Sequence, residues 1–568
     1  MNASRFWTFT SPEIRITRGG GKGGGSKDKG GNKDKGGGGG RGRGGGWSGG
    51  NGRNGITAPT PLAAPPIDAV HVAVHDITNT FILYEKAADT QSAPASLAKM
   101  ATAILLMRNK SSVLDTESET ITAADMIPGG SDAGLGVDDV TTYRHLLYGI
   151  LLPSGNEAAE CIARTIGTDI YIAAGSTGNT GVVRFVEAMN DLATEFGMTN
   201  TVFTNPTGID TPAGNLTTAN DLSVLCGKTY VDATLQTIGG TADHTMVITG
   251  VNSRSYGISH TSPQTDEDNV LSAKTGWTPD AEYGTCVYWN SPAGYKIAFT
   301  VMQSNTTNTR YLDMRGLIYQ VVTDFPYLAG TVGTDADFAS VILLTGGDSG
   351  FTDESDVGRT LTDNGVTRST SGPLVGSHSY LFNGTSDHIE TVDADDLSMG
   401  NSDFCVEFWI AGDGAEPAGS EAFVSKWDTT SNRREWTVQY DAGQNRIVLF
   451  VSTTGSDFPE AHLDLDTNGW TPNIFFNGAK RHILARRSGD EIALYVDGHK
   501  GAISPNLSAG IALHADTARG IVGARQSGGT GEQFFFNGKI DDVRITKGVP
   551  RQTAAAKFTP DGREYPRS

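Results

Sequence analysis

Cysteine is scarce. Four residues, Cys161, Cys226, Cys286 and Cys405, are scattered over 568 positions without a Cys-x-x-Cys spacing. That excludes a disulfide scaffold and a zinc ribbon, and leaves the thiols as small buried apolar groups. No run approaches the ~18 apolar residues a membrane span needs, so no membrane partner is expected. Positive charge is in deficit: 44 Lys plus Arg face 64 Asp plus Glu, a net charge of −20. A general nucleic-acid binder is disfavoured by that balance, which suits a soluble chain that resists self-association. The first residues, MNASRFWTFTSPEIRITRGGG, show neither an apolar h-region nor a small-residue cleavage site, so no secretory signal is visible. The eleven histidines lack HExxH or comparable spacing, and neither a metal nor another cofactor is expected at the site described below.

Glycine is in excess, with 73 residues. From Gly19 to Gly55 there are 21 glycines in 37 residues, mixed with eight Lys or Arg. Such a stretch cannot bury enough apolar surface to offset its ordering entropy, and it reads as a disordered tether rather than an RGG-type nucleic-acid segment. The organisation expected is a short N-terminal anchoring peptide (1–18), a Gly/Pro-rich linker (19–66), a first folded domain (67–330), a second (338–553) and a tail (554–568). In the first domain, strand-like Val70–Val74, Phe81–Tyr84, Tyr283–Tyr288 and Lys296–Met302 bracket helical patterns. Ser96 to Met107 is apolar at helical spacing, and Phe185, Met189, Leu192 and Phe196 make one stripe. An α/β (α+β) layered domain follows. The second is built of short strands between Gly, Asn and Asp turns, among them Ser379–Phe382, Phe404–Ile410, Glu435–Tyr440, Arg446–Val451, Ile483–Arg486, Ile492–Val496 and Lys539–Ile545. That pattern predicts an all-β sandwich, with Phe404, Val406, Phe408 and Ile410 turned inward and Glu407 and Trp409 outward.

Three short motifs carry chemistry. Ser96-Leu-Ala-Lys99 places a lysine one helical turn from a serine, within reach of its hydroxyl. Ser154-Gly-Asn156 sits in a loop entering a helix, and Lys274-Thr275-Gly276 on a strand. Each alone is common; in this order they form the signature shared by serine β-lactamases and penicillin-binding proteins. The longer segments APASLAKMATAIL, LLYGILLPSGNEAAECIA, FVEAMNDLATEFGMTNTVFTNPTGID, LTTANDLSVL and SAKTGWTPDAEYG narrow this. From about Val70 to Leu317 the chain resembles the D-alanyl-D-alanine carboxypeptidases, low-molecular-mass penicillin-binding proteins that trim peptidoglycan stem peptides. It departs in Asn156-Glu157 where Asn-Asp is more usual, in Thr207 where His often follows Asn-Pro, and in a longer Tyr171–Gly181 segment.

A serine hydroxyl needs a base to act at neutral pH. Lys99 can serve only when neutral, and both burial and a second ammonium, Lys274, would lower its pKa from the ordinary ~10.4. The resemblance implies Ser96 as nucleophile and Lys99 as general base. It implies Ser154 as proton relay between Lys99 and the leaving amine, and Asn156 as orienter of the substrate amide. Lys274, Thr275 and Gly276 would form the strand that holds the terminal carboxylate, and the backbone N–H groups of Ser96 and Trp277 the oxyanion hole. The substrate implied is a stem peptide ending in D-Ala-D-Ala. Glu157 is expected to favour a helix start, and Asp221 to cap a helix.

In the second domain HSYLFNGTSDHIE, SDFCVEFWI, RHILARRSGDEIALYVDG and FNGKIDDVRITKGVPR resemble laminin-G-like, concanavalin-A-like jelly rolls of the kind common in phage virion proteins. A glycan or virion-protein partner is implied. For Asp541-Asp542 a calcium site is weighed against a turn or sheet-edge role. A particle-borne or extracellular enzyme at the bacterial wall is the expected setting. A silent structural virion protein and, less readily, a β-lactamase are the alternatives; Ser-Gly-Asn in place of Ser-Asp-Asn speaks against the latter.

Overall fold

The computed structural model describes residues 57–65, 67–175, 181–266, 269–329, 334–429, 432–465, 472–503, 507, 510–527, 531–551 and 565–567. The N-terminal peptide, nearly all of the Gly/Pro-rich stretch, part of the Tyr171–Gly181 segment and most of the C-terminal tail lie outside the described residues.

In the first domain a six-stranded sheet has the order β1–β3–β2–β6–β5–β4, from β1 (Leu62–Ala63), β2 (His71–Asp76), β3 (Phe81–Lys86), β4 (Val270–Thr278), β5 (Glu282–Asn290) and β6 (Lys296–Ser304). All but the β1–β3 pairing are antiparallel. Alternation along these strands feeds two cores, because successive side chains point to opposite faces. Val72, Val74, Val287, Phe299 and Val301 pack with helix α7 (Thr307–Asp324) through Met314, Leu317 and Val321. Ala73, Cys286, Tyr288, Ala298 and Met302 face the helices α1 (Lys99–Lys110), α2 (Tyr143–Leu151), α3 (Asn156–Ala173), α4 (Val182–Glu195), α5 (Ala219–Tyr230) and α6 (Ala233–Gly239). The Phe185, Met189, Leu192, Phe196 stripe is buried in that second core. Helix starts follow ordinary capping: Thr142, Thr218 and Asp232 accept from the first turns of α2, α5 and α6. Asp221, expected to cap, sits in the first turn of α5, where its carboxylate instead accepts from Thr201 Oγ1 and the Asn200 N–H. Thr218 takes the cap because it holds the extended backbone that precedes the helix.

The second domain is a sandwich of two antiparallel sheets. One runs β8–β19–β10–β15–β16 through its middle, with β7 also on β19: β7 (Val341–Thr345), β8 (Ser379–Asn383), β10 (Phe404–Gly412), β15 (Arg481–Ser488), β16 (Glu491–Val496) and β19 (Asn537–Lys547). The other runs β9–β17–β11–β12–β13–β14: β9 (His388–Thr391), β11 (Glu421–Asp428), β12 (Arg433–Asp441), β13 (Arg446–Val451), β14 (Glu460–Asp464) and β17 (Gly520–Val522). A short strand β18 (Arg525–Ser527) pairs with β11. Phe404, Val406, Phe408 and Ile410 enter the core between the sheets, as their alternation predicts. Glu407 and Trp409 point away from it and are buried nonetheless. Glu407 meets Arg544 at 2.8 Å, and Trp409 lies edge-on to Tyr319 of α7 with ring centroids 6.2 Å apart. The Tyr319 hydroxyl donates to Asp497 O at 2.9 Å, and Leu374, Val375 and Ala411 join the α7 core. The outward face of this sheet is thus the junction between the two domains.

Asp541 and Asp542 lie mid-strand in β19, neither in a turn nor at an edge. Asp541 accepts from Gly347 N and Ser379 Oγ, while Asp542 pairs with Arg567 at 2.7 Å. The same tail buries Tyr565, whose ring lies 3.8 Å from the Arg544 guanidinium. Protein donors and a cation occupy both carboxylates, which removes the reason to assign calcium there. The four cysteines are buried and free.

Candidate active site

Ser96 sits in a 3-10 turn (Ala95–Ala98) that runs straight into α1. The preceding Ala95 has φ 48°, and Gly208 closes on it. A Cβ at Gly208 would fall 1.8 Å from Ala95 O, so glycine alone fits there. This contact brings the 205–208 loop over the serine turn. Strand β4 approaches from the other side: a Cβ on Gly276 would sit 3.0 Å from Pro94 O. That sets the backbone of Gly276 and Trp277 alongside Ser96.

Lys99 is fully buried, and its Nζ has three neighbours, Ser96 Oγ at 2.9 Å, Asn156 Oδ1 at 2.8 Å and Thr207 O at 2.7 Å. All three are uncharged. Burial pushes its pKa down to about 7, with Glu157 and Glu160 opposing from a distance. A neutral amine has two N–H bonds and one lone pair. Asn156 and Thr207 offer only oxygen acceptors and take the two hydrogens. The lone pair is left for the Ser96 O–H, the arrangement of a general base with its nucleophile.

Ser154 ends the loop between α2 and α3 with φ 71°. Its Oγ lies 2.9 Å from Lys274 Nζ, which also donates to Thr275 O at 2.8 Å. The hydroxyl expected to link Lys99 to the leaving amine is therefore hydrogen-bonded to Lys274. Lys274 is fully buried; burial first, then the neighbouring Lys99 and Arg310 charges, hold its pKa well below the ordinary lysine range. Thr275 Oγ1 lies 2.5 Å from Thr261 Oγ1. Glu157, in the first turn of α3, accepts from Ala133 N and Leu135 N and anchors the 131–135 loop that faces the helix start. Asn156 spends its carbonyl on Lys99, and its Nδ2 lies toward Gly130. Trp277 is 53% exposed beside Tyr283 at the open end of the cleft.

Sequence reasoning missed Arg310. It lies in the first turns of α7, is 5% exposed, and donates to both Gly276 O and Gly284 O at 3.2 Å and to Tyr311 Oη at 2.5 Å. Tyr311 in turn donates to Thr261 O at 2.7 Å. A buried guanidinium thus backs the Lys274-Thr275-Gly276 strand. Its only local signal is the Thr306-x-x-Thr309 capping box that starts α7. The Thr207 carbonyl was missed as well, since a backbone oxygen leaves no trace in residue identity.

A half-buried serine beside a fully buried lysine at the start of a helix, under a mostly antiparallel sheet whose facing strand carries a second lysine, defines a serine hydrolase with the penicillin-binding-protein/β-lactamase architecture. Residues 58–306 match the family described as D-alanyl-D-alanine carboxypeptidase, and residues 383–554 match the concanavalin A-like lectin/glucanases superfamily. A D-alanyl-D-alanine carboxypeptidase of Streptomyces sp. strain K15 is 31% identical over 267 residues, 45% of this chain and 88% of that protein. The carboxypeptidase DacF of Bacillus subtilis is 34% identical over 148 residues, 25% of this chain and 34% of its own length. The crystal structure of the Streptomyces K15 DD-transpeptidase has a TM-score of 0.41 at 28% identity, covering 45% of this chain and 97% of that one. The chain belongs to the D-alanyl-D-alanine carboxypeptidase family.

Proposed function

We propose that the protein removes the terminal D-alanine from peptidoglycan stem peptides through an acyl-enzyme on Ser96. Neutral Lys99 takes the Ser96 proton as Oγ attacks the carbonyl of the penultimate residue. The backbone N–H groups of Ser96 and Trp277 stabilise the oxyanion, at ~3 kcal/mol per donor. The C–N bond then breaks, and D-alanine leaves with a proton delivered through Ser154. Water hydrolyses the ester and restores Ser96. The terminal carboxylate docks against Thr275 and the cations behind it: Arg310 supplies fixed charge, and the arriving anion restores the proton on Lys274. Cationic neighbours favour binding at a chain terminus over binding within a chain, which suits an exopeptidase.

The observation that carries this reading is the fully buried Lys99 amine at 2.9 Å from Ser96 Oγ with only neutral partners. Intact-mass spectrometry after benzylpenicillin tests it. One adduct mapping to the Ser96 peptide, absent in Ser96→Ala, is expected. No adduct on the native protein would favour a silent structural protein, and turnover of penicillin without turnover of a D-Ala-D-Ala peptide a β-lactamase. The sandwich serves to hold the enzyme on a glycan-bearing surface, and the whole acts at the bacterial wall as part of a phage-type particle. The resemblance of segments such as FNGKIDDVRITKGVPR to jelly rolls common in phage virion proteins is the reason for that setting, and co-purification with infectious particles tests it.

A further inference from the structure

Among the described residues Arg310, 5% exposed near the start of α7, meets no carboxylate at ion-pair distance. Arg481 and Arg544, similarly buried, lie against Asp497 and against Glu407 and Asp335. A guanidinium buried without a counter-charge is costly, and burial lowers the Arg310 pKa. Its Nε is buried without a hydrogen-bond partner, so the group is short of acceptors as well as of an anion. The charge reaches the cleft: after burial and Lys99, it is the next cause of the lowered Lys274 pKa.

Neutral groups hold it instead. Nη1 donates to Gly276 O and Gly284 O, both at 3.2 Å, and Nη2 to Tyr311 Oη at 2.5 Å. The ring centroids of Tyr311 and Tyr283 lie 4.5 and 5.6 Å from the guanidinium carbon. An aromatic face and a phenol oxygen steady a cation without cancelling its charge, which a carboxylate in the same place would do. The Tyr311 proton is placed as well. Having accepted from Arg310, the phenol donates to Thr261 O at 2.7 Å. Thr261 carries the hydroxyl 2.5 Å from Thr275 Oγ1, and its N–H donates at 3.1 Å to the carbonyl of Leu152, which precedes Ser154 in the same loop. One phenol thus ties the cation behind β4 to the segment that touches Thr275.

We propose that Tyr311 is the positioning residue that makes the cleft select a free C-terminal carboxylate: its phenol keeps the Arg310 guanidinium behind Gly276 as a cation still lacking an anion, and the substrate's terminus supplies one. This rests on the carboxypeptidase reading and adds to it the group that decides between a chain end and a blocked or internal position. Tyr311 is 8% exposed and acts through the guanidinium rather than on the ligand. Without its hydroxyl the ring still faces Arg310, but Nη2 loses its acceptor and the Thr261 carbonyl its donor. The cation is then free to turn from the strand, and its pull on an arriving carboxylate falls. Ser96, Lys99 and their hydrogen bonds are untouched by the change.

The test uses the full chain and two acylating agents, benzylpenicillin and its methyl ester, with Ser96 acylation followed by intact-mass spectrometry. Tyr311→Phe should slow acylation by the acid about tenfold, the size of one hydrogen bond to a charged group, and leave the rate with the ester unchanged. For a peptide ending in D-Ala-D-Ala, KM should rise about tenfold with kcat kept within about twofold. Tyr311→Met, which removes ring and hydroxyl together, should show at least that selective loss and serves if Tyr311→Phe fails to fold. Arg310→Lys should show it too, and adding Tyr311→Phe to Arg310→Lys should cost little more, because one residue acts through the other. Equal losses with acid and ester, no loss at position 311, or losses that add in the double variant would overturn the proposal. So would a native protein that takes the ester as readily as the acid, with the Ser96 acyl-enzyme left standing. Absence of any adduct and of peptide turnover in the native protein would remove both the proposal and the carboxypeptidase reading beneath it.

Discussion

Both domains bury cations completely, and they treat them in opposite ways. In the peptidase domain Lys99 and Lys274 sit among hydroxyl, amide and carbonyl oxygens, and burial drives both pKa values down. In the sandwich, Lys426 lies 2.8 Å from Asp393 and 3.3 Å from Asp516, and Arg544 lies between Glu407 and Asp335. There Glu407 is among the charges that raise the Arg544 pKa against the burial that lowers it. A buried amine without an anion is free to lose its proton and do chemistry. One with an anion is fixed in charge and ties strands together.

The largest test of this contrast is to remove the amine from the site. Lys99→Met should reduce the rate of Ser96 acylation by at least about a thousandfold, because the hydroxyl loses its base. Circular-dichroism melts should show that the fold survives, since no carboxylate is left stranded. The converse holds in the sandwich. Arg544→Met leaves the 4%-exposed Glu407, and Asp335, with Arg551 as their remaining cation, and should cost about 1.5–3 kcal/mol in chemical denaturation with acylation per folded molecule unaltered.

The junction between the regions gives the next effect. Trp409→Ala opens a cavity against Tyr319 and should destabilise by about 3–5 kcal/mol. Since α7 carries both Tyr319 and Arg310, the affinity for a D-Ala-D-Ala peptide should fall more than the acylation rate with penicillin; equal losses would disconnect the junction from the site.

The smallest effect is in pH. In the proposed mechanism Lys99 acts deprotonated, and burial lowers its pKa to about 7. Acylation should therefore be flat above that value and fall about tenfold for each pH unit below it. A carboxylate placed beside the amine, as in Asn156→Asp, whose Oδ1 position lies 2.8 Å from Nζ, should move the inflection upward, since a nearby anion favours the charged form. An unmoved inflection would assign the titration to another group.

Much of this was legible in the sequence. Ser96 and Lys99 lie within one helical turn, so their proximity is a property of the local chain. The strands of the sandwich were visible because alternation and turn residues are local too, and Phe404 to Ile410 face the core as expected. Arg310 escaped notice since its importance comes from two carbonyls 34 and 26 positions away. Trp409 looked like a solvent-side residue, and α7 together with His482 and Lys480 covers it.

The order of the Ser-x-x-Lys, Ser-Gly-Asn and Lys-Thr-Gly motifs, the family they define and the division into a layered α/β part and a β-sandwich follow from the residues alone. The tertiary structure decided what those residues are chemically: Lys99 with its pKa lowered by burial to about 7, and Ser154 bound to Lys274 rather than to Lys99. Proton affinity depends on which distant groups exclude water and which oxygens arrive in its place. For Lys99 these come from 57 and 108 positions along the chain, and for Lys274 from 120. Separations of that size are set by packing, beyond the reach of any local pattern.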